Sequence, residues 1–228
     1  MNAQHRSETD EHYTPAKTVE AARRALGGGI DLDPASSRLA NETVGASSFF
    51  VKNDNGLNEL WNGRVLLNPP GGRLSNASSQ KVWFCKLLCE YVMGRVVSAV
   101  YVGFSLEILQ SAQNLPLDLP TPLDFPCCFP SARMAFDTPV NGRLVRGKSP
   151  THANVIVFLP PKDDHVVGVE RFVAAFSPLG RVIVPQFEVT AARSATVEAI
   201  VRSAVAAHGR ATATEELLVS LLKRQAAR

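Results

Sequence analysis

Apolar positions in residues 16–26 (AKTVEAARRAL) recur at helical spacing, follow Pro15 and stop at Gly27-Gly28-Gly29, which predicts a helix ending there. Ile30-Asp31-Leu32-Asp33 then reads as a short strand closed by Pro34, and Ser48-Phe49-Phe50-Val51 as a second, followed by the turn-rich Asn53-Asp54-Asn55-Gly56. Arg64-Val65-Leu66-Leu67 is too short for a helix and is cut by Asn68-Pro69-Pro70, so it predicts a buried strand. A helix from Ser78 or Ser79 to Met93, with Gly94 beyond its end, fits the next segment. Apolar runs at 96–102, 153–159 and 182–184 predict further strands, and 168–176 a helix before the last of them. Strands alternating with helices predict an open, largely parallel sheet covered on both faces, a Rossmann-like α/β fold. Strands buried on both faces are apolar throughout, as parallel strands usually are.

Two stretches stand apart. Residues 114–130 hold five of the 15 prolines and predict a long irregular loop. Beyond residue 188, Val197, Ile200, Val201, Ala204 and Val205 fall on one helical face, Gly209 interrupts, and Leu217, Leu218, Leu221 and Leu222 follow. We therefore expect one α/β domain over residues 1–187 and a helical hairpin over 188–228, with its leucines packed on the core. A chain of 228 residues needs no staples to bury such a core.

Composition narrows the class. At 45% hydrophobic and 20% charged residues the chain is neither disordered nor collagen-like. No apolar run approaches the ~20 residues of a membrane span, and the N-terminus has no signal-peptide core. Cys85, Cys89, Cys127 and Cys128 form neither a CxxC pair nor a zinc spacing, so free thiols, no metal and a cytoplasmic location are expected. A net charge of +3 permits a nucleic-acid partner without arguing for one.

Three segments carry the candidate chemistry: Tyr13-Thr14-Pro15, Asp31-Leu32-Asp33-Pro34-Ala35-Ser36, and Asn68-Pro69-Pro70-Gly71. The second and third follow predicted strands, and in open α/β sheets ligands sit beyond the carboxyl ends of strands. Two prolines fix φ and stiffen the loop after Asn68. The Asn68 side-chain oxygen and the following carbonyl can then converge on one NH₂ group. An amine conjugated to a ring or carbonyl is a poor nucleophile, and two fixed acceptors favour the sp³-like geometry it develops on attacking a methyl donor. Each segment alone also fits a strand-ending turn, a cap or a helix start. The combination makes the case.

Together these segments resemble the phage-type family of DNA N6-adenine methyltransferases, which use S-adenosylmethionine. The resemblance covers about residues 8–187: EHYTP (11–15), GIDLDPASSRLAN (29–41), FFVKNDNGL (49–57), WNGRVLLNPP (61–70) and SPTHANVIVFLP (149–160). It implies a methyltransferase sheet and adenine-specific DNA methylation after base flipping, in a phage, prophage or restriction–modification setting. Tyr13, Thr14 and Pro15 would touch the methionine moiety of the cofactor. Asp31, Asp33, Pro34 and Ala35 would form its methionine and ribose side, Asp54 would lie near the adenosine, and Asn68, Pro69 and Pro70 would hold the target amine.

The loop departs from the family at Gly71, where an aromatic usually stacks on the extruded base. Trp83, on the next predicted helix, is the preferred substitute; Phe84 and Tyr101 are the others. Only 33 residues separate Pro34 from Asn68, too few for a recognition domain. Elements that read DNA are therefore expected in 71–80, 114–152 or the tail, with Arg73, Arg133, Arg143, Arg146 and Lys148 as candidate contacts. Three of these flank Asn141-Gly142, a hairpin turn signal. Of the histidines, only His152 invites mutation. The same segments also fit transfer to another amine (an RNA base or a protein amide), or a DNA-binding protein that keeps the fold without turnover.

Overall fold

The computed structural model describes residues 12–75, 77–115, 119–147, 152–185, 199, 201–207 and 214–226. Helix α1 spans Ala16–Ala25, with extended Pro15 ahead of it. Gly27 (φ 81°) and Gly28 (φ 101°) take the left-handed backbone that ends it, and Gly28 N donates to Arg23 O at 2.8 Å. Strand β1 (Leu32–Asp33) leads through α2 (Arg38–Val44) to β2 (Ser48–Phe49), and two 3₁₀ turns precede β3 (Gly63–Leu67). A small hairpin, β4 (Arg73–Leu74) and β5 (Ala77–Ser78), opens into α3 (Ser79–Val92); Ser78 precedes this helix without capping it through its side chain. Then come β6 (Val96–Gly103), α4 (Glu107–Ser111), β7 (Cys127–Pro130), β8 (Asp137–Val140), β9 (Arg143–Arg146), β10 (Val155–Leu159), α5 (His165–Phe176) and β11 (Gly180–Ile183). Helix α6 covers 201–207 and α7 covers Glu215–Ala226.

Seven strands form the central sheet in the order β11-β7-β10-β6-β3-β1-β2. The four from β2 to β6 are parallel neighbours; β10, β7 and β11 then alternate, so five of the seven point one way. This is an α/β sheet flanked by helices, consistent with a Rossmann-like fold. One difference from expectation is β7, which lies between β10 and β11 inside the stretch expected to be irregular. Pro126 and Pro130 bracket a strand too short to show periodicity. The other is β10, apolar throughout yet antiparallel to both neighbours. Two-sided burial, and not strand direction, explains its composition.

Side chains alternate between two cores. Val65, Leu67, Ala99, Tyr101, Val155, Val157 and Leu159 face α3, α4 and the tail helices; Leu66, Val100, Val102, Ile156 and Phe158 face α1 and α5. The tail joins the first of these cores through Val201, Val205, Leu217 and Leu218, as expected of its leucines. Val197, Ile200 and Gly209 lie outside the described residues, as does the side chain of Leu222. With the tail on its outer side, α3 is buried nearly all round. All four cysteines are free and buried, and burial pushes the Cys127 thiol up to about 12. No helix among the described residues is long and apolar enough to cross a membrane.

Candidate active site

From β1 the chain turns to β2 on one side, while β3 lies on the other. That makes the carboxyl ends of β1 and β3 a topological switch point, where α/β sheets bind ligands. Asp33-Pro34-Ala35 leaves β1 there and Asn68-Pro69-Pro70 leaves β3.

Three sets of contacts assemble this edge. Phe50 N donates to Asp33 O at 3.1 Å and Ser36 N to Phe50 O at 2.9 Å, joining the loop after β1 to the segment after β2. Gly56 packs so closely on Pro34 that a Cβ there would collide with the Pro34 carbonyl oxygen. Tyr13 pairs in antiparallel fashion with Asp137 at the base of the β8–β9 hairpin (2.8 and 2.9 Å), and its hydroxyl accepts from Ser37 Oγ at 3.0 Å. The N-terminal segment therefore bridges the hairpin and the β1 loop, and its Thr14 is buried.

Asn68 is half-buried, and its Nδ2 donates to His12 O at 2.8 Å. This bond orients the amide: nitrogen toward the protein, Oδ1 left as an acceptor. Pro69 is buried and Pro70 exposed. Asp33 is 5% exposed. Burial pushes its carboxyl up to about 6, against hydrogen bonds from Ser36 and from Ala35 N, the latter at 3.3 Å, which pull it down. No ion pair among the described residues reaches it.

Other sequence candidates are placed differently. Asp31 is held by Arg64, whose Nε and Nη2 donate to it at 2.9 and 2.7 Å and whose backbone N donates at 2.8 Å. That pairing keeps its carboxyl below the usual range, and it engages both carboxylate oxygens within the protein. Asp54 is exposed and accepts from Val51 N at 2.8 Å, shaping its own 3₁₀ turn. Trp83 is 6% exposed and stacks on Trp61 at 5.8 Å and 26°, so one ring face is taken inside the core. Phe84 and Tyr101 are fully buried.

The basic candidates divide. Arg133 and Arg146 meet with Lys17 and Asp137 around a cavity of about 320 Å³ beside Pro15, at the site's edge. Arg143 is exposed on β9, beside the left-handed turn of Asn141 (φ 49°) and Gly142 (φ 75°), the conformation expected of that dipeptide. Arg73 is exposed on β4 directly after the Asn68–Gly72 loop, and Lys148 lies outside the described residues. One residue that sequence reasoning passed over is Phe104, just beyond β6 and next to Gly71. Its signal is an aromatic closing the long apolar run of a strand.

Compared with known proteins, the chain matches no family model, no curated sequence and no solved structure.

Proposed function

We propose that this chain transfers a methyl group from S-adenosylmethionine to the N6 amine of adenine in DNA, using a Rossmann-like methyltransferase fold. The observation that carries the reading is the anchored amide of Asn68 at the end of β3. With Nδ2 committed to the His12 carbonyl, Oδ1 is the acceptor left for an incoming NH₂. The Pro69 carbonyl, held by two consecutive prolines, is the second acceptor.

The cofactor fits the β1 edge on one specific ground. Asp33 is a buried carboxylate with no cation beside it among the described residues, placed at the strand end where ligands bind. A ligand bearing positive charge supplies what the protein lacks there. Asp33, Pro34, Ala35 and the Tyr13-Thr14-Pro15 segment would hold it. When bound, S-adenosylmethionine would supply an electrophilic methyl group, the electron pair of the broken S–CH₃ bond staying on sulfur as a neutral thioether. The protein's task is to accept a hydrogen bond from each of the amine's two hydrogens, so that its lone pair localises on nitrogen, and to let the departing proton reach water. Asp31, already satisfied by Arg64, acts on the scaffold, a narrower role than the resemblance implies.

The test is methyl transfer from labelled cofactor to unmethylated DNA, with nucleoside analysis of the product. N6-methyladenine is expected, reduced about 10²–10³-fold in Asn68→Ala, the effect of removing one preorganised polar partner. Label appearing in RNA or protein, or no transfer at all, defeats the proposal. Full activity in Asn68→Ala defeats the mechanism.

A further inference from the structure

Residue 71 closes the Asn68–Gly71 loop without a side chain. A Cβ built there would lie 3.8 Å from Phe104 Cζ and 3.9 Å from Cε1, in ordinary van der Waals contact. The volume toward which a side chain at residue 71 would project is thus already held by the Phe104 ring. The register explains the meeting: Leu67 stands opposite Tyr101 across β3 and β6. Pro70 and Phe104, each three residues further on, emerge at the same carboxyl end.

Phe104 is held there from several directions. Its carbonyl accepts from Asn154 Nδ2 at 3.0 Å, while Asn154 Oδ1 accepts from Met134 N at 2.6 Å. Leu106 N donates to Ala153 O at 3.0 Å, tying the following turn to the segment just before β10. His152 stands edge-on, 6.5 Å between centroids at 68°. The ring itself is half-buried, packed against the α1-side core and still partly open. Trp83 offers no comparable surface, being 6% exposed and stacked on Trp61.

We propose that Phe104 is the aromatic surface on which the target base stacks, doing from the neighbouring strand what a side chain at residue 71 would do from the loop. The proposal rests on the reading of Asn68-Pro69-Pro70 as the amine-binding loop. It places the base between the acceptors of β3's loop and the ring that follows β6. A ring is suited to this because every base has a π-face, and the backbone bonds around Phe104 fix its position before the base arrives.

The experiment is a swap between the two positions, with kcat and KM for DNA, cofactor binding and melting temperature measured for each protein. Phe104→Ala is expected to lose roughly 10- to 100-fold in kcat/KM for DNA, the scale of one lost stacking contact, with cofactor affinity within about twofold of the parent. Gly71→Phe in the parent is expected to lose activity, because two rings then compete for one volume. The double variant Phe104→Ala/Gly71→Phe is expected to recover at least about 10-fold over Phe104→Ala, at the stacking scale. Phe104→Trp should stay near parental activity. A merely structural Phe104 predicts the opposite pattern: lower melting temperature, weakened cofactor binding and no recovery in the double variant. Parental activity in Phe104→Ala, or failure of the swap in a folded, cofactor-binding double variant, overturns the proposal. A parent that makes no N6-methyladenine overturns the amine-loop reading, and this proposal with it; the swap alone cannot produce that result.

Discussion

Asp33 and Glu90 are both buried carboxylates, 5% and 0% exposed, in opposite electrostatic surroundings. Glu90 lies in α3, between the sheet and the tail helices. Its Oε1 accepts from Lys86 Nζ at 2.6 Å and its Oε2 from Arg95 Nε, while Lys86 also sits over the Trp61 ring at 5.7 Å. Asp33 lies at the carboxyl end of β1, with a hydroxyl and a backbone N–H for company and no cation among the described residues. Removing a charge from water is expensive unless a partner is present. A carboxylate balanced inside the chain belongs to the architecture; for the one without a cation among the described residues, the proposed function assigns the balancing charge to a ligand.

The largest expected effect is on the balanced side. Glu90→Gln removes the carboxylate charge that Lys86 Nζ meets at 0% exposure, in a place where burial already pulls the lysine's pKa down. Breaking such a pair costs about 3–5 kcal/mol, read as a fall in urea-unfolding free energy, with methyl transfer per folded molecule unchanged. A loss under ~1 kcal/mol, the range of an exposed pair, would erase the distinction between the two carboxylates.

Asp33→Asn is expected to move stability the other way. The folded-state pKa near 6, against 3.8 for the free side chain, means the folded protein binds the proton more tightly. Its effect is absent below about pH 4, grows as pH rises, and is complete above about pH 6, where it destabilises by up to about 3 kcal/mol. The asparagine variant should therefore unfold at higher urea than the parent at pH 7, the gap closing toward pH 4, and should bind S-adenosylmethionine weakly or not at all. Equal destabilisation at both pH values would show that Asp33 is a structural acceptor like any other.

Smallest is Asp31→Asn. The pair with Arg64 is partly exposed on both sides, 37% and 35%, so solvent screening limits it to about 1 kcal/mol or less. Because its pKa is lowered, the contribution is present above the ordinary Asp range and disappears as pH falls through and below it. Unfolding midpoints at low and high salt check this. A cofactor-binding defect as deep as that of Asp33→Asn would return Asp31 to the site.

The two aspartates also show where sequence legibility ends. They stand two residues apart, at an extended strand's same-face spacing, and nothing in that spacing tells which one meets a cation. The structure does, because Arg64 in β3 lies beside Asp31 while no basic residue among those described pairs with Asp33. Lys86 and Glu90 look in sequence like an i, i+4 surface pair; they are buried because the tail helices close over α3. Phe104 and Gly71 are 33 positions apart and meet only through the pairing of β3 with β6.

The sequence by itself determined what depends on neighbours along the chain: α1 and its glycine stop, the short apolar strands, the Asn141-Gly142 turn, and the stiff Asn68-Pro69-Pro70 loop at a strand end. Those follow from backbone sterics and side-chain period, which act over a few residues. Tertiary structure decided the entry of β7 into the sheet, the occupation of Trp83 by Trp61, the amide orientation that His12 imposes on Asn68, and the pairing of one aspartate with Arg64 while the other meets no cation among the described residues. Each of these turns on strand register and layer packing, which bring together residues that no local pattern relates.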